Sequence, residues 1–345
     1  MSGESNVRRR FVNNPCYLGI DVGSISANLV LIGAGNEVLF EDYRRVDGRP
    51  LRAAQNALAA LRDHAGPSAK IAGIGATGSA RYLVGAALGA DVIQNEITAH
   101  ARAAIHAHPD VQTVIEIGGQ DSKVTVIRDR IVVDFAMNLL CAAGTGSFLD
   151  AQAKRLNISI GELSEQAVLS SRPTSIAGRC TVFAESDMIH KQQIGHPQED
   201  ILMGLCLAMA RNYLGNVCVG KELKPPIVFQ GGVSANKGMR RAFESLLKCN
   251  LIVPRHHMVM GALGAALLAK RAAPTPSRFR GFELCGRAID TRSFACVDCP
   301  NECEVIEIVD QGEVIGRSGG RCRKWEARSG HVPPAAPATC PGNPA

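Results

Sequence analysis

Residues 113–137 read TVIEIGGQDSKVTVIRDRIVVDFAM, and two apolar runs in this stretch flank a turn that contains Gly118 and Gly119. Apolar runs on both sides of a glycine turn predict two antiparallel β-strands joined as a hairpin. An earlier stretch, residues 16–43, reads CYLGIDVGSISANLVLIGAGNEVLFEDY and has the same order of strand, glycine turn and strand. We therefore expect two such hairpins in an α/β fold.

The two stretches also align residue by residue. With an offset of 95 residues, residues 20–23 fall on 115–118, and residues 28–32 fall on 123–127. Each copy then has an acid, an apolar residue, a glycine, a polar turn and an apolar strand. Such self-similarity predicts an internal duplication. The alternative is that any two hairpins look alike, although here the acid and the glycine match as well.

Composition and charge exclude several classes of protein. The chain has 345 residues, enough for two domains, and its 46% hydrophobic content can form a sizeable core. The net charge of +6 comes with no basic patch interleaved with aromatics, so we expect no nucleic-acid partner. No apolar run is long enough to span a membrane, and the first residues lack the apolar core of a signal peptide, which together predict a cytoplasmic protein. In that compartment its 12 cysteines favour metal or redox chemistry over disulfides.

The chain divides by composition into five segments. They are a disordered basic tail at 1–15, a first half at 16–110, a second half at 111–272, a cysteine-bearing extension at 280–326, and a disordered Pro/Ala-rich tail at 327–345. A small-residue helix closes the second half at 256–270, and its packing back onto the first half stays open.

Three glycine turns follow predicted strands, at Asp21–Ser24, Gly118–Lys123 and Gly231–Val233. Glycine lets backbone N–H groups approach phosphate oxygens, and carboxylates beside such turns bind Mg²⁺. Two related hairpins facing each other would bind a triphosphate. The P-loop pattern GxxxxGK[ST] is absent, so this is not a P-loop enzyme.

A further glycine pattern, GIGATG at residues 73–78, fits the dinucleotide-binding fingerprint G-x-G-x-x-G. The surrounding strand–helix–strand pattern is not repeated, so we favour a turn that places Thr77 and Gly78 near the phosphates. Dinucleotide binding stays the alternative.

Two cysteines precede predicted helices, Cys141 in CAAGTG and Cys180 in RCTVFAESD. The positive end of a helix stabilises a thiolate and suits an anionic ligand such as an iron–sulfur cluster. A [4Fe–4S] cluster needs about four thiolates, which two protomers of a homodimer would supply together. The alternative is that both cysteines are small buried side chains.

The extension carries Cys296, Cys299, Cys303 and Cys322 within a short stretch rich in tight-turn residues. Four thiols at this spacing predict a metal site that holds either Zn²⁺ or a second iron–sulfur cluster. A structural role without metal is the alternative.

Five motifs give the chain a resemblance to a known family, namely GIDVGS, IEIGGQDSK, CAAGTGSFLD, RCTVFAESD and FQGGVSAN. Over residues 16–272 the chain resembles the activator ATPases of 2-hydroxyacyl-CoA dehydratases, which are similar to the ATPase subunits of benzoyl-CoA reductase. The resemblance implies an actin-like ATPase fold of two ribonuclease-H-like α/β domains. It also implies a homodimer with one shared [4Fe–4S] cluster, bound through Cys141 and Cys180 of each protomer.

By the same resemblance, ATP hydrolysis drives an electron from ferredoxin or flavodoxin to an acyl-CoA dehydratase or reductase. Asp21, Asp121 and Gln120 are then the catalytic residues, and the two acids organise Mg²⁺ and water. The remaining nucleotide-binding residues are Gly23, Ser24, Thr77, Gly78, Gly118, Gly119, Lys123, Gly231 and Gly232. Asn28 departs from the family, which often has a lysine there. The rival interpretation is an actin-like sugar kinase, which has no use for Cys141.

Overall fold

The computed structural model describes residues 11, 14–138, 144–178, 180–272, 275–322 and 324–325. The chain divides into two compact units. Unit 1 comprises Met1–Ala99 and Gly261–Ala345, and unit 2 comprises His100–Met260. Most of the helix that the sequence predicts at 256–270 therefore belongs to unit 1.

Unit 1 contains a five-stranded mixed sheet. Its strands are β1 (Cys16–Val22), β2 (Ser26–Ile32), β3 (Val38–Arg45), β4 (Ile71–Thr77) and β5 (Val92–Ile93), in the order β3-β2-β1-β4-β5. The first three strands are antiparallel, whereas β4 and β5 run parallel to β1. The helices that follow the strands are α1 (Pro50–Ala65), α2 (Arg81–Leu88) and α3 (Glu96–Ala107), of which α3 continues into unit 2.

Unit 2 repeats this sheet. Its strands are β6 (Thr113–Ile117), β7 (Ser122–Arg128), β8 (Ile131–Asn138), β9 (Ile227–Gln230) and β10 (Leu251–Ile252), in the order β10-β9-β6-β7-β8. Again three antiparallel strands are followed by two parallel ones. The helices are α4 (Gly146–Arg155), α5 (Ile160–Ala167), α6 (Thr181–Gln193), α7 (Gln198–Asn216) and α8 (Lys237–Leu247), with a short 3₁₀ helix at Gly232–Ala235.

Strand register confirms the duplication predicted from the sequence. Asp21 pairs with Asn28 in unit 1, and Glu116 pairs with Lys123 in unit 2, at the same offset. The turn hydrogen bonds repeat too, since Gly23 N donates to the Ser26 carbonyl at 2.9 Å and Gly118 N to the Asp121 carbonyl at 3.0 Å.

Each unit has its own apolar core. In unit 1, buried residues of β1 and β2 pack on α1 and α2. The other face of this sheet contacts α9 (Met260–Ala272) so closely that a Cβ added at Gly19 would lie 1.9 Å from the Ala262 carbonyl oxygen. In unit 2 the core is built around Tyr213, Phe229 and Phe243, whose rings meet edge to face.

The extension is part of unit 1 and forms a small antiparallel sheet. It consists of a 3₁₀ helix (Phe282–Gly286) and the strands β11 (Ile289–Ala295), β12 (Glu304–Asp310) and β13 (Glu313–Ser318). Gln55 of α1 anchors it, donating to the carbonyls of Leu284 and Arg287 at 2.8 and 2.9 Å. No helix within the described ranges is both long enough and apolar enough to cross a membrane.

Candidate functional site

The first glycine turn follows Asp21, a 9% exposed carboxylate at the end of β1. Asp21 pairs with Asn28 on β2 and with Thr77 on β4, so these three side chains lie in one row on one face of the sheet. Within the described part of the chain, Asn28 Oδ1 and Thr77 Oγ1 are buried and accept or donate no hydrogen bond. The row therefore offers three oxygen-bearing side chains, the donor type that Mg²⁺ and its bound waters require.

Gly78 closes this first row. Its φ of +94° is left-handed, and an added Cβ would lie 2.6 Å from Asp21 Oδ1 and 2.3 Å from the Val22 carbonyl oxygen. Only glycine fits at this position, because both the backbone angle and the space exclude a side chain. The predicted residues Asp21, Thr77 and Gly78 are thus neighbours in unit 1, together with the turn residue Gly23 and the exposed Ser24.

Unit 2 has the equivalent row with different chemistry. Glu116 pairs with Lys123 on β7 and with Gln230 on β9. The Lys123 ammonium is only 3% exposed and lies 3.2 Å from Glu116 Oε2 and 2.9 Å from Asp121 Oδ2. Burial would raise the pKa of Glu116, but the charges of His100 and Lys123 and the Lys123 hydrogen bond together hold that pKa below its ordinary value. The second row is therefore a buried ion cluster at the predicted phosphate turn.

Neighbouring groups fix this cluster in place. His100 Nδ1 lies 2.9 Å from Gln230 Nε2, and the Tyr213 hydroxyl donates to the Lys123 carbonyl oxygen at 2.7 Å. Sequence reasoning missed His100 and Gln230. Gln230 could have been found as the residue before Gly231, at the end of a strand, whereas nothing in the sequence of α3 singles out His100.

The third glycine turn repeats the strain seen at Gly78. Gly231 has a φ of +87°, and an added Cβ would lie 2.5 Å from the carbonyl oxygen of Ile117, the counterpart of Val22. Gly232 then begins the 3₁₀ helix. The predicted residues Gly231 and Gly232 therefore adjoin the second row, in which Gln230 lies.

The helix after the first cysteine motif is bonded directly to the second glycine turn. Gly146 N and Ser147 N, the first residues of α4, donate to the carbonyls of Gly118 and Gly119, each at 2.9 Å. Ser147 Oγ also donates to the Gly119 carbonyl at 2.5 Å. The predicted phosphate turn and the start of α4 are therefore one hydrogen-bonded assembly. Cys141, five residues before α4, lies outside the described residues.

Cys180 occupies the N-cap position of α6, as the sequence predicted for a thiol at a helix N-terminus. Its side chain is half-buried, and the next residues Val182 and Phe183 expose 67% and 65% of their surface. Asn212 holds the preceding loop by donating to the Gly178 carbonyl at 2.6 Å. The start of α6 therefore presents two exposed apolar side chains next to a half-buried thiol.

The four cysteines of the extension lie within the described residues, but their thiols do not form a ready metal site. Across the described ranges, no three His, Cys, Asp or Glu side chains are grouped so as to hold a metal ion. Cys296 Sγ instead lies 3.3 Å from Trp325 Nε1 and 3.2 Å from Asp298 Oδ2. Cys299 Sγ accepts from Asn301 Nδ2 at 3.7 Å.

The chain is similar to known proteins over most of its length. The BadF/BadG/BcrA/BcrD ATPase family matches residues 18–269. The (R)-2-hydroxyglutaryl-CoA dehydratase activating ATPase of Acidaminococcus fermentans is 34% identical over 259 residues, which are 74% of this chain and 97% of the relative. The activator of lactoyl-CoA dehydratase of Anaerotignum propionicum is 35% identical over 258 residues, 74% of this chain and 98% of the relative.

A solved structure agrees with the sequence comparison. The activator of the 2-hydroxyisocaproyl-CoA dehydratase from Clostridium difficile, with bound ADPNP, superposes with a TM-score of 0.70 at 32% identity, covering 75% of this chain and 95% of that chain. The expected actin-like ATPase fold is therefore confirmed. The family match ends before the extension at 280–326 begins.

Proposed function

The chain belongs to the BadF/BadG/BcrA/BcrD ATPase family, and we propose that it is an ATP-dependent activator that transfers low-potential electrons. In this proposal it works as a homodimer that shares one [4Fe–4S] cluster. It receives electrons from ferredoxin or flavodoxin in the cytoplasm and passes them to an acyl-CoA dehydratase or a benzoyl-CoA reductase-like acceptor. The observation that supports the proposal is the pair of backbone hydrogen bonds between α4 and the second glycine turn, because they join the predicted phosphate turn to the helix that follows the CAAGTG motif.

The nucleotide is bound at the glycine turns and the residues next to them. The turn residues Ser24, Gly119 and Gln120 donate to phosphate oxygens, and Gly23 and Gly118, whose N–H groups close the turns, let the phosphates approach the backbone. Thr77 and Gly78 lie beside them, and Gly231 and Gly232 border the adenosine. Asp21 and Asp121 orient Mg²⁺ and the attacking water. The buried, unpartnered oxygens of Asn28 and Thr77 next to Asp21 suit a hydrated cation.

Lys123 provides the electrostatic response to the nucleotide. It is paired with Asp121 at 2.9 Å and Glu116 at 3.2 Å. A phosphate would compete with Asp121 for this ammonium, and the Asp121 carboxylate would then be available to hold Mg²⁺ or its bound water. Because Asp121 also accepts the turn hydrogen bond from Gly118 N through its carbonyl, its release shifts the Gly118–Gly119 turn and with it the start of α4.

Cys141 and Cys180 of each protomer would hold the cluster, which supplies one-electron chemistry at low potential when bound. Cys180 fits this role because it occupies the N-cap position of α6, whose first N–H groups favour a negatively charged ligand. Val182 and Phe183 then exclude water around it in the dimer.

Anaerobic purification followed by iron and sulfide analysis and EPR tests the proposal. We expect about four irons per dimer, lost in Cys180→Ser together with the dimer. Cys249→Ser is the matched control, because Cys249 is also a partly exposed thiol of unit 2, and it should keep both iron and dimer. An iron-free protein that phosphorylates a sugar would refute the activator and support the kinase.

A further inference from the structure

A cavity of about 380 Å³ lies in unit 1, where the extension packs against α1. One wall consists of the loop before α1 and the first turn of that helix, and the opposite wall is the chain that leads into β11. The family match ends at residue 269, so the second wall is supplied by the extension alone.

We propose that this cavity binds a small phosphate ester. Arg49, Arg52 and Arg287 hold the phosphate, and an apolar wall covers the organic part. All the residues that line the cavity belong to unit 1, and none of them is a predicted nucleotide-binding residue or cluster ligand. The site is therefore separate from the proposed ATPase and does not depend on it.

The charged side chains of the lining are all positive. Three arginines line the cavity, and no aspartate or glutamate does. Like charges gathered around one cavity repel each other, and a bound anion offsets that repulsion. The guanidinium fork also matches two oxygens of a phosphate group with two parallel hydrogen bonds. The lining therefore favours an anion, and a phosphate in particular.

Two of these arginines have no partner within the part of the chain that the structure describes. The Arg49 and Arg52 side chains are exposed and make no hydrogen bond or ion pair there. Several other arginines of unit 1 do pair with acids, namely Arg44, Arg45, Arg62, Arg278, Arg292 and Arg317. Arg49 and Arg52 are thus available to a ligand.

The third arginine is held in place from behind. Arg287 Nη1 donates to Asp310 Oδ2 at 2.6 Å, and the Arg287 carbonyl accepts from Gln55 Nε2 at 2.9 Å. The Asp310 side chain is 8% exposed and does not line the cavity. A guanidinium has five N–H donors, so this ion pair leaves donors for a ligand. Arg287 is therefore a fixed anchor.

The start of α1 adds to the positive potential of the arginines. The helix has no acid in its first turn, and the side chain of its N-cap residue, Arg49, accepts no capping hydrogen bond. Leu51 and Arg52, which line the cavity, belong to that first turn. The N–H groups at the start of a helix favour negative charge, in the same direction as the three guanidinium groups.

An apolar wall adjoins these donors. Leu51, Leu83 and Ile289 are partly buried and line the same cavity. Covering them with a ligand would remove apolar surface from water, which favours an ester over inorganic phosphate. A volume of about 380 Å³ is also in the usual range for a small-molecule site.

Calorimetry of the full chain with phenyl phosphate tests the proposal. Mg²⁺–ADP is present throughout, so that phosphate binding at the glycine turns does not contribute. We expect Arg49→Gln and Arg52→Gln each to weaken the binding of phenyl phosphate at least about tenfold, through the loss of a charge-assisted hydrogen bond. Arg62→Gln is the matched control, because Arg62 lies on the same helix but pairs with Asp63 at 3.0 Å. It should bind phenyl phosphate as the wild-type chain does.

Leu83→Ala separates the two parts of the site. It should weaken the binding of phenyl phosphate and leave the affinity for inorganic phosphate unchanged. An unchanged affinity of Leu83→Ala for phenyl phosphate would overturn the assignment to an ester.

Three further results would overturn the proposal. The first is no binding of phenyl phosphate to the wild-type chain. The second is equal affinity in the wild-type chain, Arg49→Gln and Arg52→Gln. The third is tighter binding of phthalate than of phenyl phosphate, lost in the same two variants, which would identify a site for dicarboxylates instead. Because Arg49 and Arg52 are exposed, neither substitution should change the unfolding temperature.

Discussion

The two duplicated rows have the same register and opposite chemistry. In unit 1 the row is Asp21, Asn28 and Thr77, with one carboxylate among neutral groups. In unit 2 it is Glu116, Lys123 and Gln230, with a buried ammonium between carboxylates. A duplicated backbone thus carries a carboxylate beside unpartnered oxygens in one row and an internal ammonium in the other. Under the proposed function, the first row is the better candidate for a cation and the second for an anionic phosphate.

The largest effect should come from removing the internal cation. Lys123→Met leaves Glu116 and Asp121 without their ammonium, and breaking such a buried pair costs about 3–5 kcal/mol of unfolding free energy. Urea denaturation measures the loss, and ATP hydrolysis should disappear as well. Lys221→Met is the matched control, because Lys221 pairs with Asp134 near the surface at 2.7 Å and should cost at most about 1 kcal/mol. Equal losses in the two variants would contradict the assigned role of the ion cluster.

A smaller effect should follow from the two strained glycines that close the rows. Gly78→Ala and Gly231→Ala each force a Cβ against a carbonyl oxygen, at 2.3 and 2.5 Å, and should each cost about 1–3 kcal/mol. The two losses should be similar, because the backbone environment is duplicated. Thermal and urea unfolding measure them. Gly48 has a φ of +74° but nothing within 4 Å of its added Cβ, so Gly48→Ala reports the strain alone and should cost less.

The smallest effect should come from making unit 1 resemble unit 2. Asn28→Lys places an ammonium opposite Asp21, where it competes with Mg²⁺ for the carboxylate. We expect the Mg²⁺ concentration for half-maximal ATP hydrolysis to rise about tenfold, equivalent to about 1.4 kcal/mol. Methionine is similar in length to lysine but carries no charge, so Asn28→Met controls for steric effects. If both variants need the same Mg²⁺, the assignment of the cation to unit 1 is wrong.

Much of the fold could be predicted from local patterns. The hairpin at each glycine turn, the offset of 95 residues and the helix after Cys180 all follow from residue types within a short window. The requirements act locally at such places, since a left-handed backbone favours glycine and a short apolar run bounded by turn residues favours a strand.

The remaining features depend on contacts between distant segments. Gln230 joins Glu116 only because β9 pairs with β6 in parallel, and a parallel register leaves no signal in either strand alone. His100 reaches Gln230 from α3 through packing that no sequence pattern encodes. Cys141 lies outside the described residues, so its role stays a prediction.

The link between α4 and the second glycine turn consists mainly of backbone atoms. Side-chain substitutions at Gly118, Gly119 or Gly146 can crowd this junction, but none of them removes its donors or acceptors, except proline at 146 or 147. Substitutions at this junction should therefore be tolerated unless the new side chain is too large for the space. Substitutions that alter nucleotide affinity elsewhere should therefore leave this junction intact, and separating the turn from α4 would require a change in the backbone itself.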